Sequence, residues 1–169
     1  MLSMFNVSIA PLKRALNNLS HILNKGEAHA DARGIEHSVF LNARLFADMY
    51  PLIRQIQIAT DVSKGAAARL AGLEVPKYDD SEASFADLHA RIAKTLTFID
   101  TIKPEQLEGS ESRDITITVR KVDLHFTGQA YLFDWVLPNV YFHVTTAYNI
   151  LRHNGVELGK PDFLGPINK

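Results

Sequence analysis

Along most of the chain, apolar residues recur at alternating spacings of four and three, the signature of helices with one buried face. The first such run is Phe5, Ile9, Leu12, Leu16, Leu19 and Leu23. Pro11 interrupts it, so the helix is expected either to begin near Ser8 with Pro11 in its first turn or to bend there. Asn24-Lys25-Gly26 is expected to end this helix, leaving residues 27–36 as a polar loop with His29 and His37 in or beside it. A second run, Leu52, Ile56, Ala59, Ala66 and Leu70, opens at Pro51 and stops at Gly72. The third, Phe85, Leu88, Ile92, Leu96 and Ile99, follows Ser84 and Asp87, whose spacing of three suits a capping box, and Pro104 closes it. His89, Arg91 and Lys94 fall on its outward side.

The fourth run is the most aromatic and ends at Asn154-Gly155. On a helix, Trp135, Asn139, His143, Thr146, Ile150 and His153 share one stripe beside Val136, Val140, Ala147 and Leu151. Pro138 lies in the middle and should kink or divide the helix, freeing a carbonyl one turn earlier near Asp134. Between the third and fourth runs the period drops to two: Ile115, Ile117 and Val119, then Val122, Leu124 and Phe126, alternate with Thr116, Thr118, Asp123 and His125. This predicts a β-hairpin turning at Arg120-Lys121, which lack the glycine that two-residue turns favour and so leave the register open. Two strands alone are marginal in water, so the hairpin must pack on the helices. After Gly155 the tail is broken by Gly159, Pro161, Gly165 and Pro166 and is expected to be irregular, with Phe163 and Leu164 covered by the bundle or by a second subunit. The expected architecture is mainly all-α: a single domain over residues 1–169 holding a four-helix bundle, with a small hairpin between helices three and four.

Composition narrows the function classes. Lys plus Arg number 18 against 19 for Asp plus Glu, so no general field attracts nucleic acid or anionic lipid. The absence of Cys removes thiolate nucleophiles, disulfides and thiolate metal ligands and is compatible with the cytoplasm, where the chain is placed. No window approaches the roughly 20 apolar residues of a membrane span, and the first residues lack a signal-like basic and apolar pair of blocks. No glycine-rich phosphate loop, nucleophilic triad or paired-carboxylate motif is present.

What chemistry remains lies on two helices. Asn139 and His143 sit one turn apart within an apolar stripe. The second helix carries a polar stripe of Arg54, Gln57, Asp61 and Lys64, which is its wet side unless it lines a cavity. In the second case Gln57 and Asp61 would face Asn139 and His143 across the bundle, with Tyr131 adding a hydroxyl to the same ligand pocket. His153, at the end of the last helix, suits the partial negative charge there.

These residues fall within a longer resemblance. The segments Asp48-Met-Tyr-Pro-Leu-Ile-Arg-Gln55, Ala66-Ala-Ala-Arg-Leu-Ala-Gly72, Arg91-Ile-Ala-Lys-Thr-Leu96, Leu137-Pro-Asn-Val-Tyr-Phe-His143, Leu151-Arg-His-Asn-Gly155 and Gly159-Lys-Pro-Asp-Phe-Leu164 resemble an uncharacterised bacterial branch of the DinB/YfiT-like superfamily. The resemblance implies a four-helix bundle, commonly a homodimer. It also implies relatives that hold a divalent metal with three His, some of them thiol-dependent transferases, isomerases or hydrolases. Their final-helix motif, His-x-x-x-His, places its second His on His143 and its first on Asn139. The ligand from their second helix falls where this chain has Gln57 or Asp61. With two of three imidazoles replaced, the metal site is expected to be degraded or rebuilt, holding zinc or nickel weakly through His143 and Asp61, or not at all. Two readings follow: a non-catalytic, small-ligand-binding module, or a metal-dependent enzyme using His143.

Overall fold

In the computed structural model, residues 3–166 are described. The opening helix α1 (Met4–Arg33) is capped by Ser3, whose side chain accepts from the Asn6 amide, and ends at Gly34 in the left-handed region (φ 62°). It is thus one continuous helix rather than the helix and polar loop expected over residues 8–36. Pro11 lies inside it, and Gly26 does not stop it. The reason is tertiary: a Cβ at Gly26 would lie 3.0 Å from Leu151 Cδ2, so this glycine lets the last long helix press closely against α1. His29 is therefore helical, its ring edge-on to Phe40 at 5.9 Å, and His37 opens a short helix α2 (His37–Leu41).

Helix α3 (Leu52–Ala71) starts after Pro51 and ends at Gly72 (φ 70°) as the sequence predicts. Helix α4 (Phe85–Asp100) begins with the expected capping box, Ser84 and Asp87 each accepting from the other's end of the first turn. The strands β1 (Asp114–Val119) and β2 (Val122–Thr127) pair antiparallel with Ile115 opposite Phe126 and Ile117 opposite Leu124. Arg120 and Lys121 both adopt positive φ (50° and 70°), the mirror-image turn that matches strand twist, here made without glycine. Ile115 and Ile117 are buried, and Phe126 packs on Tyr131 and Trp135 at 6.0 and 6.2 Å between rings.

The chain re-enters helix through one turn, α5 (Gly128–Ala130), a wider π-helical segment (Tyr131–Val136) and then α6 (Leu137–His153). Pro138 consequently sits in the first turn of α6, where its missing N–H costs little, and the π segment takes up the break. The tail also differs from expectation: instead of being irregular, it forms a five-residue helix α7 (Lys160–Leu164). Residues 1–2 and 167–169, the ends of the chain, lie outside the described residues.

The protein is mostly helical with one two-stranded antiparallel sheet. The helices α1, α3, α4 and α6 pack on one another around a single core. Leu12, Leu16, Leu19 and Leu23 of α1 meet Leu52, Ile56 and Leu70 of α3, Phe85, Leu88 and Ile92 of α4, and Val140, Ala147 and Ile150 of α6. No helix among the described residues is long and apolar enough to cross a membrane.

Candidate functional site

The central polar contact joins α3 to α6. Gln55 lies three residues after Leu52 and four before Ala59, so it is carried on the apolar side of α3 and is 2% exposed. His143 is 8% exposed, and its Nδ1 lies 2.7 Å from Gln55 Oε1. Gln55 Nε2 donates to the Tyr50 carbonyl at 2.9 Å, which leaves Oε1 as the acceptor. His143 Nδ1 therefore carries the proton, and Nε2 keeps a free lone pair. Burial, and next the nearby Arg54 guanidinium, push the imidazole down from 6.5 to about 4, so it is neutral at pH 7. The exposed ring of Phe142 stands edge-on to it at 5.2 Å.

The other residues singled out in the sequence have different partners. Asn139 is half-buried and turns its amide back along its own helix, donating to the Trp135 carbonyl at 2.6 Å beside the Pro138 break. Gln57 accepts from Arg54 (3.0 Å) and donates to Glu82 (2.8 Å). Asp61 accepts from Lys64 (2.6 Å) and Arg91 (2.7 Å). Tyr131 is buried with its hydroxyl accepting from Arg69 at 3.1 Å. Arg69 lies 14 residues beyond Gln55, about 21 Å along α3, so Tyr131 is remote from His143. The five residues do not form one pocket. Gln55 escapes the sequence reading because Gln57 and Asp61 belong to the more conspicuous polar stripe, whereas a lone glutamine at core spacing is the real signal.

That polar stripe is not simply wet. Residues 73–83 cross over it and build an ion network around Arg91, which is 4% exposed rather than outward as expected. Arg91 bonds Thr60 (2.8 Å), the Asp79 carbonyl (3.0 Å), Glu82 (2.8 Å) and Asp61, while Arg54 pairs with Asp80. Burial raises the Glu82 pKa, but hydrogen bonds from Arg91 and Gln57 outweigh it and hold the carboxyl below its usual value. The Tyr78 ring lies 3.7 Å from Lys64 Nζ and 4.2 Å from Lys94 Nζ, so it clasps cations from α3 and α4 together.

A divalent metal of the zinc or nickel kind needs about three firm protein ligands. Around His143 the donors are one imidazole and neutral amides already hydrogen-bonded to protein. Among the described residues no three His, Asp or Glu side chains converge as a metal site. Asp61, the other candidate ligand, is engaged by Lys64 and Arg91. The residues present do not fit such a metal.

Residues 4–164 match the family described as Domain of unknown function (DUF1993). The chain belongs to this family. The DUF1993 protein is also similar to the crystal structure, at 1.83 Å resolution, of a DinB family member protein from Shewanella denitrificans. The two share 40% sequence identity and superpose with a TM-score of 0.92 over 98% of this chain and 94% of that one. No curated protein matches the chain. The DUF1993 protein is thus DinB-like over nearly all of its length.

Proposed function

We propose that this DUF1993 protein is a DinB-type four-helix bundle, formed by α1, α3, α4 and α6, that serves as a non-catalytic, small-ligand-binding module in the cytoplasm. In this reading the metal position of its better-studied relatives has become a structural hydrogen bond between helices. The observation that carries it is the His143–Gln55 contact at 2.7 Å, with Asn139 engaged by its own helix. The neutral imidazole satisfies the buried Gln55 amide without a metal, and its remaining Nε2 lone pair would supply one firm ligand where a first-row metal needs about three.

The module is also proposed to be a homodimer. Phe163 does not support this, since it packs on Tyr148 of its own chain at 6.4 Å. The supporting feature is instead the pair of exposed rings, Tyr50 and Phe142, that flank Gln55 and His143. Light scattering after size exclusion should give twice the chain mass; a monomer mass at micromolar protein would refute this part.

The test of the metal-free reading is elemental analysis of protein purified without affinity tag or chelator. Zinc and nickel should be well below one equivalent, and His143→Ala should not change that content. Stoichiometric metal that His143→Ala removes would overturn the reading in favour of a metal-dependent enzyme.

A further inference from the structure

A cleft of about 930 Å³ opens between α1, α6 and α7. It exists because α1 presents small residues, Ala10, Pro11 and Ala15, where α6 presents Tyr141 and Val144, so the helices diverge without a large side chain to fill the gap. Phe163 and Leu164 of α7 close one end. Its walls are largely apolar, and its size is that of a small-molecule site, typically about 300–1,000 Å³.

Two polar side chains on α1, Arg14 and Asn18, stand one turn apart at the α7 end of this cleft. Arg14 Nε donates to the Leu164 carbonyl (3.1 Å), and its Nη2 donates to the Pro166 carbonyl (2.7 Å). Asn18 donates to the Phe163 carbonyl at 2.8 Å. The guanidinium is thus held in one orientation by neutral acceptors. Among the described residues no carboxylate pairs with it, whereas nearby Lys13 pairs with Asp100. A fixed cation with no counter-ion among the described residues, at the rim of an apolar cleft, is complementary to a ligand with one negative charge and an apolar body. Nη1 and the second Nη2 hydrogen remain available to a carboxylate.

We infer that this cleft binds a small monocarboxylic acid with an apolar tail, its carboxylate on Arg14 and its tail along Ala10, Ala15, Tyr141 and Val144. The inference rests on the small-ligand part of the proposed function. It is independent of His143, which lies on the α3-facing flank of α6 rather than the flank carrying Tyr141 and Val144. Because Arg14 is already oriented, binding loses little side-chain freedom, and the charge adds specificity on top of apolar burial.

The test is titration of the full ¹⁵N-labelled chain with octanoate and with octan-1-ol. Octanoate should shift amides of α1, α6 and α7 around the cleft saturably, binding roughly fivefold tighter than octan-1-ol. Arg14→Met should remove octanoate's advantage over the alcohol, whereas Asn18→Ala, which loosens α7 but keeps the cation, should preserve it. Ala10→Trp, at an exposed position on the cleft wall, should abolish both. His143→Ala should leave octanoate binding intact, which separates this site from the His143 reading. The inference is overturned by the absence of saturable shifts, by shifts centred elsewhere, or by equal affinity for acid and alcohol. It is also overturned if Arg14→Met leaves octanoate's advantage in place, if Asn18→Ala removes that advantage as fully, since the cation would then be only a strut for the tail, or if Ala10→Trp converts a dimer to a monomer, since the cleft would then be a contact between copies.

Discussion

Acid should destabilise this protein through His143, by an amount its surroundings set. Burial and the neighbouring Arg54 hold the folded imidazole at about 4, against 6.5 in the unfolded chain. Between those values the unfolded state binds a proton that the native state refuses. Stability is therefore fully present above about pH 6.5, falls as pH drops, and stops falling from this cause near pH 4. A difference of about 2.5 pH units corresponds to about 3 kcal/mol. For a domain of this length that is roughly 6–12 °C in Tm. The assay is thermal unfolding of wild type and His143→Gln from about pH 7.5 to 4. Gln cannot titrate but can donate to Gln55, and the remaining His and carboxylates titrate in both proteins. Wild type should be the more stable at neutral pH, and its advantage should shrink by about 3 kcal/mol by pH 4. Parallel curves would refute the reasoning, because they would mean that the native imidazole accepts a proton as readily as the unfolded one.

Arg91→Met should cost about 3–5 kcal/mol in urea unfolding, because it strands the part-buried Glu82 and leaves Asp61 with Lys64 as its only cation among the described residues. Gly128→Ala should be the most damaging of the glycine substitutions, about 3 kcal/mol or more, since the new Cβ would fall 1.8 Å from the Ser110 carbonyl oxygen; loss of hairpin amide protection would report it. Asp162 accepts from the Gly159 amide and from His21 and Lys25, and these contacts, the Gly159 bond foremost, hold its pKa at about 2. Its contribution is present above about pH 3.8 and lost only as pH falls through about 2, so Asp162→Asn should speed hydrogen exchange in α7 at neutral pH, whereas acidification to pH 4 should not.

What could be read in the sequence was whatever depends on neighbours within a few residues. The periods that place α3, α4 and α6, the alternation of the hairpin, the Ser84–Asp87 box and the stop at Gly72 are all local. Gly26 does not end the helix as the sequence suggests, because a glycine after Asn-Lys looks the same whether it ends a helix or admits a neighbour, and only Leu151, far along the chain, distinguishes the two. Arg91 and the polar stripe of α3 lost their expected exposure to residues 73–83, whose path over them leaves no periodic mark. The tail helix is too short to show a period and depends on Asp162, Arg14 and Asn18 for its position. At the site, His143 is legible as a polar intrusion in an apolar stripe, but its partner lies on the apolar side of α3 rather than in the polar stripe. A strongly polar stripe attracts notice, whereas one glutamine among Leu52, Ile56 and Ala59 is the residue that must find a hydrogen bond.

The π-helical turn ahead of Pro138 takes up about one residue more than an α-helix would over the same rotation. Removing one residue from Tyr131–Val136 would let the helix run on as ordinary α through nearly the same total rotation, leaving Tyr131 on the side of Arg69. In an aligned set of sequences such a deletion would look like a minor length change. In this fold it would put Pro138 inside a continuous α-helix, at a cost of about 3 kcal/mol, while Tyr131 and His143 kept the faces that meet Arg69 and Gln55.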